Sequence, residues 1–111
     1  MKDDEATVQL WTVSPCGGPA LQLTHNLHSI GSAFSWSSDG KFIAHVMDGS
    51  ICVTEAQTGQ TQRLTERAEL AVGPRPEGCV FSPDASQIAY VRPVHMGETF
   101  FNQIFVIQLE H

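Results

Sequence analysis

The chain has 111 residues, of which 41% are hydrophobic, and it carries a formal net charge of −6 at neutral pH. This length suits one ordinary domain with a modest core. Only six lysines and arginines are spread through the sequence, so we expect no nucleic-acid partner, because phosphate binding needs clustered positive charge. No stretch approaches the roughly 20 consecutive apolar residues of a membrane span, and none is predicted.

The two ends of the chain are expected to lie outside the fold. Residues 1–7 are predicted to be a disordered N-terminal segment, and no signal-peptide hydrophobic region follows the charged start. Residues 109–111, Leu-Glu-His, resemble the beginning of a vector-encoded histidine tag and are set aside.

The three cysteines, Cys16, Cys52 and Cys79, are expected to be reduced. Three thiols cannot all pair with one another, and Cys52 falls in a predicted core strand, where cysteine commonly acts as a small hydrophobe. Free thiols and the lack of a signal peptide slightly favour the cytoplasm but leave the compartment open.

Residues 8–24 are predicted to be the outer half of a β-blade, two strands joined by a turn that contains Pro15, Gly17 and Gly18. This segment repeats residues 49–65 at a constant offset of 41, and both copies end in Leu-Thr. A repeated supersecondary unit of this size is typical of a repeat architecture.

Residues 33–65 are predicted to form one complete four-stranded antiparallel blade. Gly40, Gly49 and Gly59 separate the strands at intervals of nine and ten residues, and glycine or aspartate at these points is typical of tight hairpins. The predicted strands are Ala33–Ser37, Lys41–Met47, Ser50–Glu55 and Gln60–Thr65.

Residues 78–108 are predicted to be a partial blade. Residues 80–91 repeat residues 35–46, an enlarged loop is expected over Arg92–Phe101, and Gln103–Ile107 is the third strand. No fourth strand follows, so the chain holds nine strands, or about two and a quarter blades. Such a chain leaves open sheet edges, which predicts either an open fragment of a larger propeller or completion by self-association.

These repeats resemble the TolB-like β-propeller repeat. The resemblance rests on Trp36-Ser37-Ser38-Asp39-Gly40-Lys41-Phe42-Ile43-Ala44, on Phe81-Ser82-Pro83-Asp84, and on strand pairs that end in Leu-Thr. More narrowly, the chain resembles the C-terminal blades of a bacterial family of uncharacterised TolB-related proteins. Ser38 stands where the repeat usually has proline, and Ala85 where it has glycine. The resemblance implies an all-β fold of antiparallel four-stranded blades.

What the resemblance implies about function is broader, because TolB-like propellers include protein-binding components, gating domains of peptidases and metal-dependent oligogalacturonate lyases. We expect a non-enzymatic module that binds protein or ligand through its long-loop face. An enzyme of the oligogalacturonate lyase type is the alternative. If the parent protein is exported as TolB is, the compartment is the periplasm.

The long connections of the blades are expected to share one face, which makes that face the candidate binding surface. His25, His28 and Glu98 are candidate metal ligands there, although no lyase ligand motif can be carried over to them, and no cofactor is expected. Further candidates for contact with a protein partner on this face are Arg67, Arg75, His95 and Met96.

Four other residues have structural interpretations. Asp39 and Asp84, at equivalent turns, are predicted to cap backbone N–H groups rather than to act as paired catalytic carboxylates. Trp36 and Phe81, at matched positions, are predicted to form the packing layer between blades. No nucleophile elbow or phosphate-binding loop is present in the sequence, so no catalytic residue is assigned.

Overall fold

A computed structural model describes residues 7–68, 73–75 and 79–109 of the chain. Within these ranges the secondary structure is all β, as predicted, and no helix could cross a membrane. The strands form three antiparallel sheets of two, four and three strands. They are β1 (Trp11–Thr12), β2 (Leu21–Gln22), β3 (Ile30–Trp36), β4 (Phe42–Met47), β5 (Ser50–Glu55), β6 (Thr61–Arg63), β7 (Cys79–Phe81), β8 (Gln87–Met96) and β9 (Thr99–Gln108).

The central sheet, in the order β3-β4-β5-β6, is the complete blade that the glycine spacing predicts. Its middle hairpin closes where Met47 pairs with Ser50, so that Asp48 and Gly49 alone make the turn. Both turn residues have positive φ angles, 52° and 74°, as a type I′ turn requires. The first strand differs from the prediction, since it begins at Ile30 and reaches Phe34 through an irregular register.

The two aspartates at equivalent turns have the capping role that was predicted. Asp39 Oδ1 accepts hydrogen bonds from the Ser37 hydroxyl at 2.6 Å and from the Lys41 N–H at 3.0 Å. Asp84 Oδ1 accepts hydrogen bonds from the Ser86 N–H at 3.0 Å and from the hydroxyls of Ser82 and Ser86. These hydrogen bonds lower the pKa of Asp84 to about 2, and the one from the Ser86 side chain has the largest effect. The carboxylates therefore hold the turns together.

The second of these turns keeps its shape although it lacks glycine. The N–H of Ala85 donates to the Ser82 carbonyl at 2.9 Å, the bond of a type I turn, with Pro83 and Asp84 at its centre. Gly40 makes the same bond in the first turn, and the φ angles of Gly40 and Ala85 are 74° and 62°. Alanine thus occupies a left-handed conformation that usually favours glycine.

The prediction of a loop over Arg92–Phe101 is wrong, because this segment continues the β8–β9 hairpin. The register runs unbroken to Met96 opposite Thr99, and a two-residue turn with Gly97 at φ 65° closes the hairpin. Proline is usually excluded from a paired strand. Pro93 is tolerated here because β7 pairs with β8 only as far as Tyr90, and no other described strand needs an N–H from Pro93.

Two apolar layers lie on the two sides of the central sheet. The first is packed between the central sheet and the β7-β8-β9 sheet and includes Ile51, Phe81 and Ile88. The second is packed between the central sheet and the β1-β2 hairpin and includes Leu10 and Ile43. This sandwiching by neighbouring sheets explains why the pattern of β4 does not alternate between apolar and polar residues.

The prediction for the matched aromatic residues holds for one of the two. Phe81 is buried in the first layer, whereas Trp36 remains 48% exposed. Trp36 pairs with Ile43 and therefore points to the side of the central sheet on which β1 and β2 lie. β1 and β2 cover the outer part of that side. Trp36 lies on the inner strand, β3, and therefore stays partly exposed.

Only one residue of each predicted terminal segment is described, Thr7 at one end and Leu109 at the other. Residues 1–6, 110 and 111 lie outside the described residues. Thr7 accepts a hydrogen bond from the Gln9 side chain at 2.7 Å, and the N–H of Leu109 donates to the Ser86 carbonyl at 2.8 Å. Leu109 also packs against the first apolar layer, so this residue is an integral part of the fold.

We predict that one thiol of the folded protein reacts rapidly with a chromogenic disulfide reagent. All three cysteines are free, as expected, but only Cys16 is exposed. Burial raises the pKa of Cys52, and it raises that of Cys79 to about 12, which suppresses the reactive thiolate. The absorbance step should correspond to one thiol in buffer and three in denaturant. A Cys16→Ser variant should lose the fast step, and a fast step that survived would contradict the buried positions.

Candidate functional site

The long connections meet on one face, as predicted, and hydrogen bonds tie them to the sheets there. The N–H of Ala68 donates to the Gly49 carbonyl at 2.9 Å, and the N–H of Arg75 donates to the Val91 carbonyl at 2.8 Å. We call this the long-loop face: residues 25–29, 48–49, 64–68, 73–75 and 92–103. The tight turns at residues 14–17, 37–40, 55–59 and 82–85 form the short-turn face.

The centre of the long-loop face is a cluster of charges around Asp48. Its carboxylate contacts Arg67 Nε at 2.9 Å, Arg63 Nη2 at 3.1 Å and His28 Nε2 at 3.5 Å. The pKa of Asp48 is lowered, mainly by the hydrogen bond from Arg67 and next by the hydrogen bond from Arg63. Arg63 Nη1 also donates to the Ser50 hydroxyl at 2.5 Å. One carboxylate thus holds side chains from three separate segments.

A groove of about 440 Å³ opens beside this cluster, a size in the range of ligand-binding pockets. Asp48 and Arg67 supply its charge, and Val46 and Pro74 supply apolar wall. The other described residues that line the groove are small, namely Ser29, Gly31, Gly49, Ala68 and Gly73.

The distal part of the β8–β9 hairpin is the second feature of this face. Met96, Phe100 and Phe101 are 57%, 51% and 49% exposed. The rings of His95 and Phe100 stack with centroids 4.8 Å apart. Nearer the sheet, the Arg92 guanidinium lies 5.5 Å from the centre of the Phe105 ring. The hairpin therefore presents exposed aromatic side chains beyond the packed core, Phe100 on one of its faces and Phe101 on the other.

The candidate metal ligands are not assembled into a site. Glu98 is in the hairpin turn, His28 contacts Asp48, and His25 precedes Asn26, whose side chain donates to Thr61 at the start of β6. Across the described ranges, no group of three or more His, Cys, Asp or Glu side chains is arranged to hold a metal ion. The sequence places these three residues in connections on one side but fixes no distance between them.

Three of the four other candidates belong to one of these two features. Arg67 belongs to the Asp48 cluster, and His95 and Met96 belong to the hairpin. Arg75 is exposed, and its backbone ties the connection to β8. Sequence analysis missed the roles of Arg63 and Asp48. Arg63 pairs with Cys52 across the β5–β6 hairpin, close to the Asp48-Gly49 turn. A prediction of this strand register could have placed Arg63 near Asp48.

A buried polar chain links the β1-β2 hairpin to the central sheet. His45 is fully buried, and its Nε2 lies 2.7 Å from the Thr54 hydroxyl, which is 2.8 Å from the Thr61 hydroxyl. Asn26 donates to Thr61 at 3.2 Å and so extends the chain to the neighbouring hairpin. His45 Nδ1 is buried with no partner, which favours the neutral imidazole with its proton on Nε2. The hydrogen-bond partner of His45 is therefore Thr54.

Comparison with solved structures decides the fold. The chain superposes on the structure titled "putative TolB" from Agrobacterium tumefaciens with a TM-score of 0.61 and 16% identity, covering 81% of this chain and 30% of that one. It superposes on the tricorn protease with a TM-score of 0.63 and 26% identity, covering 83% of this chain and 9% of that one. The chain has a TolB-like β-propeller-type fold.

A sequence relative of these blades carries the description of an uncharacterised protein. The chain is 43% identical over 91 residues to the uncharacterized protein YidR of Escherichia coli (strain K12). The match covers 82% of this chain and 21% of that protein, so the chain spans about one-fifth of the length of this curated relative. No family model matches.

Proposed function

We propose that these propeller blades are a non-enzymatic module that binds a protein through the long-loop face. The observation that carries this proposal is the exposed aromatic hairpin of Met96, Phe100 and Phe101, which stands beyond the core on the same face as the Asp48 groove. Exposed aromatic clusters rimmed by polar residues commonly mark protein–protein interaction sites, where aromatic anchors supply much of the affinity.

The test compares exposed apolar side chains at two separate places on the surface. Phe100→Ser with Phe101→Ser removes the hairpin aromatics, and Val13→Ser, at a residue 64% exposed beside a short turn, is the matched control. Proteins captured from an extract of the source organism by the immobilised chain are identified, and the affinity of the purified partner is then measured. Loss of the two rings is expected to weaken binding by about 30-fold, because buried interface aromatics contribute about 2 kcal/mol or more.

Two results would contradict the proposal. One is a partner whose affinity falls with the Val13 variant but not with the hairpin variant. The other is turnover of acidic oligosaccharides by the purified chain that a chelator abolishes, which would favour the lyase-type alternative.

A further inference from the structure

The outer edge of the β7-β8-β9 sheet is formed by β9, and no described strand pairs with it on the side away from β8. This strand is ten residues long, and its register with β8 is unbroken. Its sequence contains no charged residue, no proline and no glycine. Soluble proteins usually protect an edge strand by keeping it short, or with charge, proline or a bulge, and β9 has none of these devices.

The hydrogen-bond pattern shows which backbone groups of β9 face this edge. The N–H of Leu109 donates to the Ser86 carbonyl, so hydrogen-bonded and non-bonded pairs alternate from there along the hairpin. Pro93, which has no N–H to donate, lies opposite Asn102 in a non-bonded pair, in agreement with this alternation. The residues of β9 in non-bonded pairs direct their N–H and C=O groups to the open edge, and they are Phe100, Asn102, Ile104, Val106 and Gln108.

The complete blade shows how the matching edge is covered within this chain. β5 is the third strand of its blade, as β9 is of the next, and β6 pairs with its outer edge. β6 pairs with only three residues of β5, Cys52 to Thr54. A strand of that length would leave part of the longer β9 edge unpaired. Only a strand about as long as β9 can pair with all of its outward groups.

We propose that the edge of β9 pairs with β9 of a second copy of this chain, antiparallel and with Ile104 opposite its own counterpart. Ile104 is the middle one of the five outward residues, so this register matches every outward N–H with a carbonyl. It pairs Asn102 with Val106 of the second copy, and Phe100 with Gln108. Because β9 carries no charge, the symmetric pairing places no like charges opposite each other within the strand.

A pairing of this kind is complete as a dimer, because the same edge is used by both copies about a two-fold axis. Ile104 is 74% exposed and Val106 is 54% exposed in the single chain. In the pair, each Ile104 side chain would contact its counterpart directly, and Val106 would lie diagonal to Phe100 of the second copy. The inference goes beyond the proposed function, since it uses the backbone of β9 rather than the side chains of the long-loop face.

The test measures association of the full chain by sedimentation velocity over a wide range of concentrations. A reversible dimer is expected, and added salt should strengthen it, because each copy has a net charge of −6 and salt screens their repulsion. Ile104→Lys should weaken the dimer by about tenfold, since it places like charges opposite each other at the axis. Val80→Lys is the matched control. Val80 is exposed on the same side of the sheet but lies on β7, so this variant should dimerise as the parent does.

A second pair of variants tests the register, in a Cys16→Ser background that removes the exposed native thiol. Ile104→Cys would bring two thiols directly opposite each other, so mild oxidation should cross-link the dimer rapidly. Val106→Cys, on the same strand and side, would hold its two thiols four residues apart, about 14 Å, and should cross-link much more slowly. Both native side chains are more than half exposed, so neither change is expected to disturb the fold.

Four results would overturn the inference. The first is a chain that stays monomeric at every concentration, which would leave the edge to a strand of a different protein or of further blades. The second is an Ile104→Lys variant that dimerises as the parent does. The third is loss of the dimer in Val80→Lys, which would indicate packing of sheet faces instead of edges. The fourth is cross-linking of the two cysteine variants at equal rates.

Discussion

Replacement of Gly59 by alanine is expected to destabilise the protein by about 3 kcal/mol, because it combines a strained backbone with a collision between sheets. Gly59 has φ 79°, which residues with a side chain rarely adopt. A Cβ there would also collide with the backbone carbonyl of Leu23, in the neighbouring β1-β2 hairpin. The hairpin would have to move away, and Leu10 and Leu23 would lose part of their packing against Ile43.

Gly40→Ala is the matched control, since its φ is 74° and a Cβ at this residue would have open space within 4 Å. This change is expected to cost about 1 kcal/mol from the backbone alone. Urea unfolding at neutral pH measures both values, and hydrogen exchange at the Leu10 and Leu23 amides should accelerate only in the Gly59 variant. Equal losses in the two variants would contradict the close contact between the sheets.

Acidification from pH 6.5 to pH 4 is expected to remove about 3 kcal/mol of stability through His45 alone. Burial lowers the pKa of His45 from 6.5 to about 4. Between these values the unfolded chain binds a proton at this histidine and the folded chain does not, so the free energy of unfolding falls as the pH falls. The contribution is complete above pH 6.5 and is lost by about pH 4.

His45→Gln removes the titration and keeps a donor near Thr54, so its stability should depend much less on pH over this range. His95→Gln, at an exposed residue stacked on Phe100, should retain the full dependence of the parent. Urea unfolding at intervals of about half a pH unit gives the slopes, which depend on the difference in bound protons between the two states. Parallel profiles for the parent and His45→Gln would show that His45 is not the responsible group.

The blade architecture could be predicted because its signals are local. Aspartate and glycine at regular intervals fix the short turns, and apolar runs between them fix the strands, so Ser50–Glu55 has the bounds that were predicted. The extension of the β8–β9 hairpin was missed because Pro93 and Gly97 indicate a loop in most contexts. That proline is compatible with a strand because no described strand pairs with this part of β8 on the side away from β9.

The candidate site was predicted less completely, because its geometry depends on contacts between distant segments. The sequence assigns Arg67 and His28 to one face, but their meeting at Asp48 follows from how the connections fold back over the Asp48-Gly49 turn. The metal candidates show the converse case. His25 and His28 are close in sequence, yet His28 contacts Asp48, whereas Asn26, the neighbour of His25, contacts Thr61.

The exposed position of Trp36 gives the chain an intrinsic optical reporter. The sequence contains two tryptophans, and they are 48% and 58% exposed at residues 36 and 11. In a Trp11→Phe variant the emission of Trp36 would report directly on the inner strand of the central blade. Any strand that covers this position, from another chain or from further blades, would shift that emission to shorter wavelength, so completion of the propeller can be followed in solution without a label.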